Sequence, residues 1–236
     1  ANPVWLELRV AKKEDKVKVL PPTNFVPQEQ MDFAFMELLA STNAACNYNF
    51  DSLMVPFRCV ATDAYNHQPV ILSKGDLGES IRASMTVPLY FKPIEIENTL
   101  LFDGGIVNNF PSDVMKETFN PDIIIGHKVA NESKAAEQDD VMEQISNMLM
   151  RPTNYEIEPE DGILLETKFE NVTLLDFNKI EFVSNEGQKT AQQLIDSIKT
   201  RISRKVKQED LEKKRQSFKA KKPQLFQDFH NRKITV

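Results

Sequence analysis

At 236 residues, with 41% hydrophobic and 27% charged positions, the chain has the length and composition of a globular protein with one or two buried cores. No run of about 18 apolar residues occurs, so no stretch reads as a membrane-spanning helix. Two cysteines, Cys46 and Cys59, and three histidines exclude a disulfide framework and show no metal-ligand spacing, so neither metal nor cofactor is expected. The opening Ala1-Asn2-Pro3 begins neither a basic nor an apolar leader region, and no signal peptide is expected there. Residues 4–10 alternate like a strand, and a charged patch follows at 12–18. Pro21, Pro22 and Pro27 then prevent helix. Residues 28–39 read as a helix carrying Met31, Phe35, Leu38 and Leu39 on one face. Residues 55–61 and 70–72 read as strands with a turn near Gln68-Pro69, and Cys59 as a small buried hydrophobe. A helix over 75–84 must end before Pro88.

Farther along, residues 111–118 read as a helix. Residues 122–127, with three consecutive isoleucines, read as a fully buried strand of the parallel-sheet kind. An amphipathic helix over 135–150 would use Val141, Ile145, Met148 and Leu149. A polar stretch at 151–161 separates it from strands at 163–167 and 172–175. From Ile180 a long helix is predicted, its stripe of Leu194, Ile195, Ile198, Ile202 and Val206 directed at the sheet. Strands alternating with helices predict the α/β class, a mostly parallel sheet with flanking helices. Residues 1–206 are expected to form that domain, and 207–236 a charged linker leading to a further domain outside this chain.

The net charge of −6 is segregated. Between 199 and 222 there are eleven Lys/Arg against three acids, which is +8 and leaves −14 for the rest. Aromatics are not interleaved with the basic residues over 199–215, so no nucleic-acid partner is expected. A solvated helix is the first reading of this segment and contact with an anionic membrane surface the second.

Chemistry concentrates at Leu100-Leu101-Phe102-Asp103-Gly104-Gly105-Ile106-Val107-Asn108-Asn109-Phe110-Pro111. An apolar strand ends abruptly in a charge. The paired glycines Gly104 and Gly105 permit positive φ and the close approach of another segment. Asn108 and Asn109 are turn residues, and Pro111 suits a helix start with Asp113 near the positive end of its dipole. The predicted local structure is strand, tight loop, helix, with Asp103 at the strand's carboxyl end, where open α/β sheets place their sites. An isolated Asp-Gly pair is a turn signal first. Here the surroundings change that reading.

Upstream lies Ile81-Arg82-Ala83-Ser84-Met85-Thr86-Val87-Pro88-Leu89-Tyr90-Phe91-Lys92-Pro93, and before it Val60-Ala61-Thr62-Asp63. In this order, with the Asp-Gly-Gly loop and its Asn-Asn-x-Pro ending, these segments resemble the patatin-like phospholipase family. The resemblance is detailed from about residue 49 to 126 and looser to about 205. It implies a lipid acyl hydrolase, of phospholipase A type or an esterase, working through a Ser-Asp dyad in which Asp103 matches the aspartate. The family's serine sits in a Gly-x-Ser-x-Gly elbow behind a glycine-rich oxyanion loop. No serine of this sequence has glycine two residues away on both sides. The chain therefore resembles the carboxyl-terminal part of such a domain, with the nucleophile lying outside it. This chain alone is expected to be inactive.

Ser84 lacks the flanking glycines and is not taken as the nucleophile. His67, His127 and His230 are read as ordinary loop or surface residues, with no serine to complete a triad. A lipid or other ester is the expected substrate. Either the missing amino-terminal half or a second copy of the chain is the expected partner, covering strand edges left open. In some bacterial proteins of this kind a periplasmic module and an outer-membrane barrel follow, and the strand-like Arg232-Lys233-Ile234-Thr235-Val236 resembles that junction. A bacterial envelope location is the corresponding expectation. The alternative to an enzyme is a non-catalytic α/β module that binds lipid or a partner.

Overall fold

A computed structural model describes residues 9–13, 16–20, 27–129, 141–169, 172 and 176–223. The chain divides into two compact units, residues 1–107 with 208–236, and residues 108–207. In the first, β1 (Arg9–Lys13) and β2 (Lys16–Leu20) form an antiparallel pair in the register Arg9↔Leu20 to Lys13↔Lys16. Helix α1 (Glu29–Cys46) follows, ending on Asn47 in the left-handed region at φ 52°. Then come β3 (Cys59–Asp63), β4 (Pro69–Leu72), α2 (Leu77–Ser84), β5 (Ile94–Ile96) and β6 (Thr99–Asp103).

These four strands make one sheet in the order β4-β3-β6-β5, and every neighbouring pair is antiparallel. The helix-and-sheet class stands, but this sheet is not the parallel one expected. The connections decide it. Parallel neighbours need a crossover of a dozen residues or so, whereas β5 and β6 are joined by Glu97 and Asn98 alone. Both take left-handed φ, 50° and 61°, as a tight hairpin turn demands. Between β3 and β4 the Asp63 carboxylate holds the turn, accepting from Tyr65 N–H (2.7 Å) and Asn66 N–H (2.9 Å). These bonds hold the Asp63 carboxyl below the usual carboxylate range, with Asn66 the larger cause.

Packed on this sheet, Ala61, Leu72, Ala83 and Leu101 form the buried apolar cluster. Helix α2 starts on Asp76, whose Oδ1 accepts from Glu79 N–H at 3.0 Å. The buried Asn43 of α1 completes that start: its Nδ2 donates to Asp76 Oδ2 (2.6 Å) and its Oδ1 accepts from Leu77 N–H (2.9 Å). On α1, Met31, Phe35 and Leu39 are half-buried, whereas Leu38, expected on the same face, is 70% exposed. The strand expected from residue 55 begins at Cys59, beyond Pro56, and the strand expected at 4–10 falls largely outside the described residues.

The second unit holds α3 (Ser112–Phe119), β7 (Ile124–Lys128), α4 (Val141–Leu149), β8 (Gly162–Glu166) and α5 (Ile180–Arg201). Here the pairing is parallel, β7 on β8 from Ile124↔Gly162 to Lys128↔Glu166. A Cβ on Gly162 would lie 2.1 Å from the Ile124 carbonyl oxygen, so only glycine fits that step. At the end of α5, the Arg201 guanidinium donates to the carbonyls of Gly162 (2.7 Å) and Glu160 (3.0 Å).

Several apolar faces expected to be covered are open. Strand β7, read as fully buried, exposes Ile125, and α4 exposes Met148 and Leu149. No residue of α5 is buried, and Ile195 is exposed. The helix stops at Arg201, so Ile202 and Val206 of the expected stripe lie beyond its end and are exposed. Of the expected strand at 172–175, only Val172 is described, and it is not in a strand. Residues Gln208–Ala220 form α6, which belongs to the first unit.

Candidate functional site

Strand β6 carries Asp103 to the point where the sheet stops and the chain turns into a short 3-10 helix, Gly104–Ile106. Three contacts fix this residue. Its N–H donates to the Thr86 carbonyl at 2.9 Å. Its carbonyl accepts from the buried Thr62 hydroxyl at 2.7 Å, and Ala61 stands opposite it in the β3–β6 register. Its Oδ1 accepts from Gly105 N–H at 2.7 Å. The backbone is thus held from β3 on one side and from the residues after α2 on the other, while one carboxylate oxygen is turned into the loop.

Oδ2 makes no hydrogen bond among the described residues, and no side-chain polar atom there is sealed in without a partner. Burial pushes the Asp103 carboxyl above its ordinary range, the Gly105 bond opposing this only in part. A carboxylate held rigidly, raised in basicity and keeping one oxygen available has what a general base requires.

The glycines act differently from the expectation. Neither Gly104 nor Gly105 has a left-handed φ. Gly104 is needed for close approach instead: a Cβ there would lie 2.1 Å from the Val60 carbonyl oxygen and 2.6 Å from its carbon. That same carbonyl accepts from Ser84 Oγ at 2.6 Å, so the Ser84 hydroxyl fastens the end of α2 to β3. Asn108 and Asn109 fall in the second unit. Asn108 Nδ2 donates to the Asp113 carboxylate at 2.9 and 3.2 Å, and Asn109 Nδ2 donates to the Tyr155 hydroxyl at 2.8 Å.

Two histidines are described. His67 sits in the β3–β4 turn with φ 54°. His127 Nε2 lies 2.9 Å from Thr167 Oγ1 in the second unit. His230 lies outside the described residues. No group of three or more His, Cys, Asp or Glu that could hold a metal occurs among the described residues.

Arg82 was not singled out by the sequence reading. Its side chain is 3% exposed, and its guanidinium donates to Asp32 Oδ1 (3.0 Å), Thr86 Oγ1 (2.7 Å) and Gln28 Oε1. It also lies 4.9 Å from the Phe91 ring centroid. Because the Thr86 carbonyl accepts from Asp103, this buried cation braces the segment on which Asp103 leans. An arginine set among Ile81, Ala83 and Ser84 was the available signal, since an unpaired charge does not survive burial.

A mixed α/β protein with a braced acid at a strand end is the class these features define. Residues 17–116 match the family model described as patatin-like phospholipase. An uncharacterized NTE family protein of Mycobacterium tuberculosis is 38% identical over 61 residues, 26% of this chain and 17% of that protein. A patatin-like phospholipase domain-containing protein of Caenorhabditis elegans is 35% identical over 68 residues, 28% of this chain and 5% of that protein. The aligned stretch is a small part of each relative.

Proposed function

We propose that this chain supplies the base of a Ser-Asp dyad in a lipid acyl hydrolase, Asp103 being that base. The patatin-like phospholipase model that residues 17–116 match supports lipid hydrolysis in general. The observation that carries the finer reading is the raised, braced carboxylate with one oxygen unengaged. A serine hydroxyl is a poor nucleophile until its proton is taken. Asp103 Oδ2 accepts that proton as the serine oxygen attacks the ester carbonyl, and a tetrahedral oxyanion forms. The proton then passes to the departing alcohol and the acyl group stays on the serine. Water, deprotonated by the same carboxylate, then attacks the acyl carbon; the bond to the serine oxygen breaks, that oxygen takes the proton back from Asp103, and the acid is released.

No serine of the sequence is flanked by the two glycines of an elbow, so the nucleophile would come from outside these 236 residues. That same observation favours a second reading, a lipid- or partner-binding module without catalysis. A polypeptide extended upstream to include an elbow serine separates the two. Asp103→Asn in that protein should reduce ester hydrolysis by about 10²–10⁴-fold, the usual weight of a general base. Hydrolysis unchanged by the substitution removes Asp103 from the reaction. The 236-residue chain alone should not react with a fluorophosphonate, and stoichiometric labelling would overturn the missing-nucleophile argument.

A further inference from the structure

Away from the Asp103 loop, the first unit contains a cavity of about 650 Å³, within the range of about 300–1,000 Å³ typical of small-molecule sites. Its apolar wall comes from three segments: Leu53 and Phe57 from the loop before β3, Leu77 and Ile81 from α2, and Phe218 from α6. Cations complete it. Arg215, Lys219 and Lys222 line the same cavity, with Glu212 beside Arg215: spacings of three and four place Arg215 and Lys219 with Phe218 on one face of α6, and Lys222 follows just past its end.

The charges are not equivalent. Arg215 is engaged by Glu212 at 2.8 Å, whereas Lys219 and Lys222 make no ion pair among the described residues. The Lys222 ammonium stands 5.9 Å from the Phe218 ring centroid, so a positive charge lies directly beside the apolar wall. A small inorganic anion would satisfy the lysines and leave the wall unfilled. A neutral lipid would do the reverse. A molecule with one long apolar chain and one anionic end satisfies both.

We propose that this cavity binds a long-chain fatty acid, the alkyl chain between α2, the 53–57 loop and α6, and the carboxylate at Lys219 and Lys222. None of its residues belongs to the Asp103 loop, and the proposal does not depend on the reaction assigned to Asp103. The test uses the 236-residue chain and oleate held below its aggregation concentration, with displacement of a fluorescent fatty acid as the readout. Saturable binding of one oleate per chain is expected. Oleyl alcohol, which keeps the chain but loses the charge, should bind about tenfold more weakly, as should oleate to the Lys219→Gln/Lys222→Gln double variant.

Met54→Trp, which narrows the cavity from the loop side, should abolish binding while far-UV circular dichroism stays unchanged. No saturable oleate binding, or equal affinity for oleyl alcohol or by the double variant, overturns the proposal. A third result also overturns it: loss of binding to vesicles of phosphatidylglycerol in the double variant without any binding of monomeric oleate. The lysines would then face a membrane surface.

Discussion

Replacing Gly104 by alanine tests how Asp103 is held. The added Cβ would sit 2.1 Å from the Val60 carbonyl oxygen, whereas non-bonded atoms find their optimum near about 3.5 Å, so β3 and β6 must part by roughly 1 Å. Neither neighbour is the far end of a flexible side chain. Both are backbone, and the same carbonyl is held by Ser84 at 2.6 Å while Thr62 holds Asp103 at 2.7 Å. A separation of that size breaks both bonds at about 1 kcal/mol each, and forced overpacking adds about 1–3 kcal/mol. The expected loss is therefore about 3–5 kcal/mol, a large share of the roughly 5–15 kcal/mol that a domain possesses. Urea unfolding followed by far-UV circular dichroism measures it. Gly187→Ala in α5 is the matched control: nothing lies within 4 Å of its Cβ, and the site is helical. It should stabilise by about 0.5–1 kcal/mol. A Gly104→Ala protein within about 0.5 kcal/mol of the parent would refute the close-approach argument.

Arg82→Met removes the buried cation; since Asp32 is 51% exposed and can return to water, the expected cost is about 2–3 kcal/mol rather than the larger figure for a stranded buried charge, measured by the same urea midpoints. The raised Asp103 carboxyl implies a pH dependence with a definite sign. A carboxyl that holds its proton more tightly when folded adds stability at low pH, and that contribution is lost as pH rises through the folded value. Asp103→Asn should accordingly raise the urea midpoint at pH 7, and the gain should vanish as pH falls below the ordinary carboxylate value of about 3.9; a loss of stability at pH 7 would contradict it. Burial pushes the Cys59 thiol up to about 12, so it should resist an aromatic disulfide reagent at pH 8 until the chain is unfolded. Phe33, Met36 and Leu38 of α1 are exposed, and among the described residues β4 and β5 are open sheet edges. The chain should therefore self-associate, and a monodisperse monomer in light scattering would contradict this.

What the sequence made legible was local. An apolar run closed by Asp103 and followed by Gly-Gly required a strand end and a turn, and β6 and the 3-10 turn are that. The helix expected over 75–84 is there over 77–84, with Asp76, expected inside it, capping its start instead. The hairpin between β5 and β6 was not, because Glu97 is a poor signal for a left-handed turn position and the flanking strands are only three and five residues long. With that hairpin unseen, the sheet's antiparallel order could not follow.

Position in the chain does not reveal what a residue will lean on. Gly104 reads as a flexible turn residue, yet its work is to admit a carbonyl 44 positions earlier in the sequence. Arg82 depends on Asp32, 50 positions away. The stripe on α5 fails for the opposite reason: periodicity identifies an apolar face, but nothing in the spacing of Leu194, Ile195 and Ile198 says whether its cover lies within these 236 residues. The structure leaves that helix without a buried residue. The Asp103 loop differs from both, since its three hydrogen bonds come from segments already gathered in one unit, so its geometry is fixed within this chain and can be tested on it.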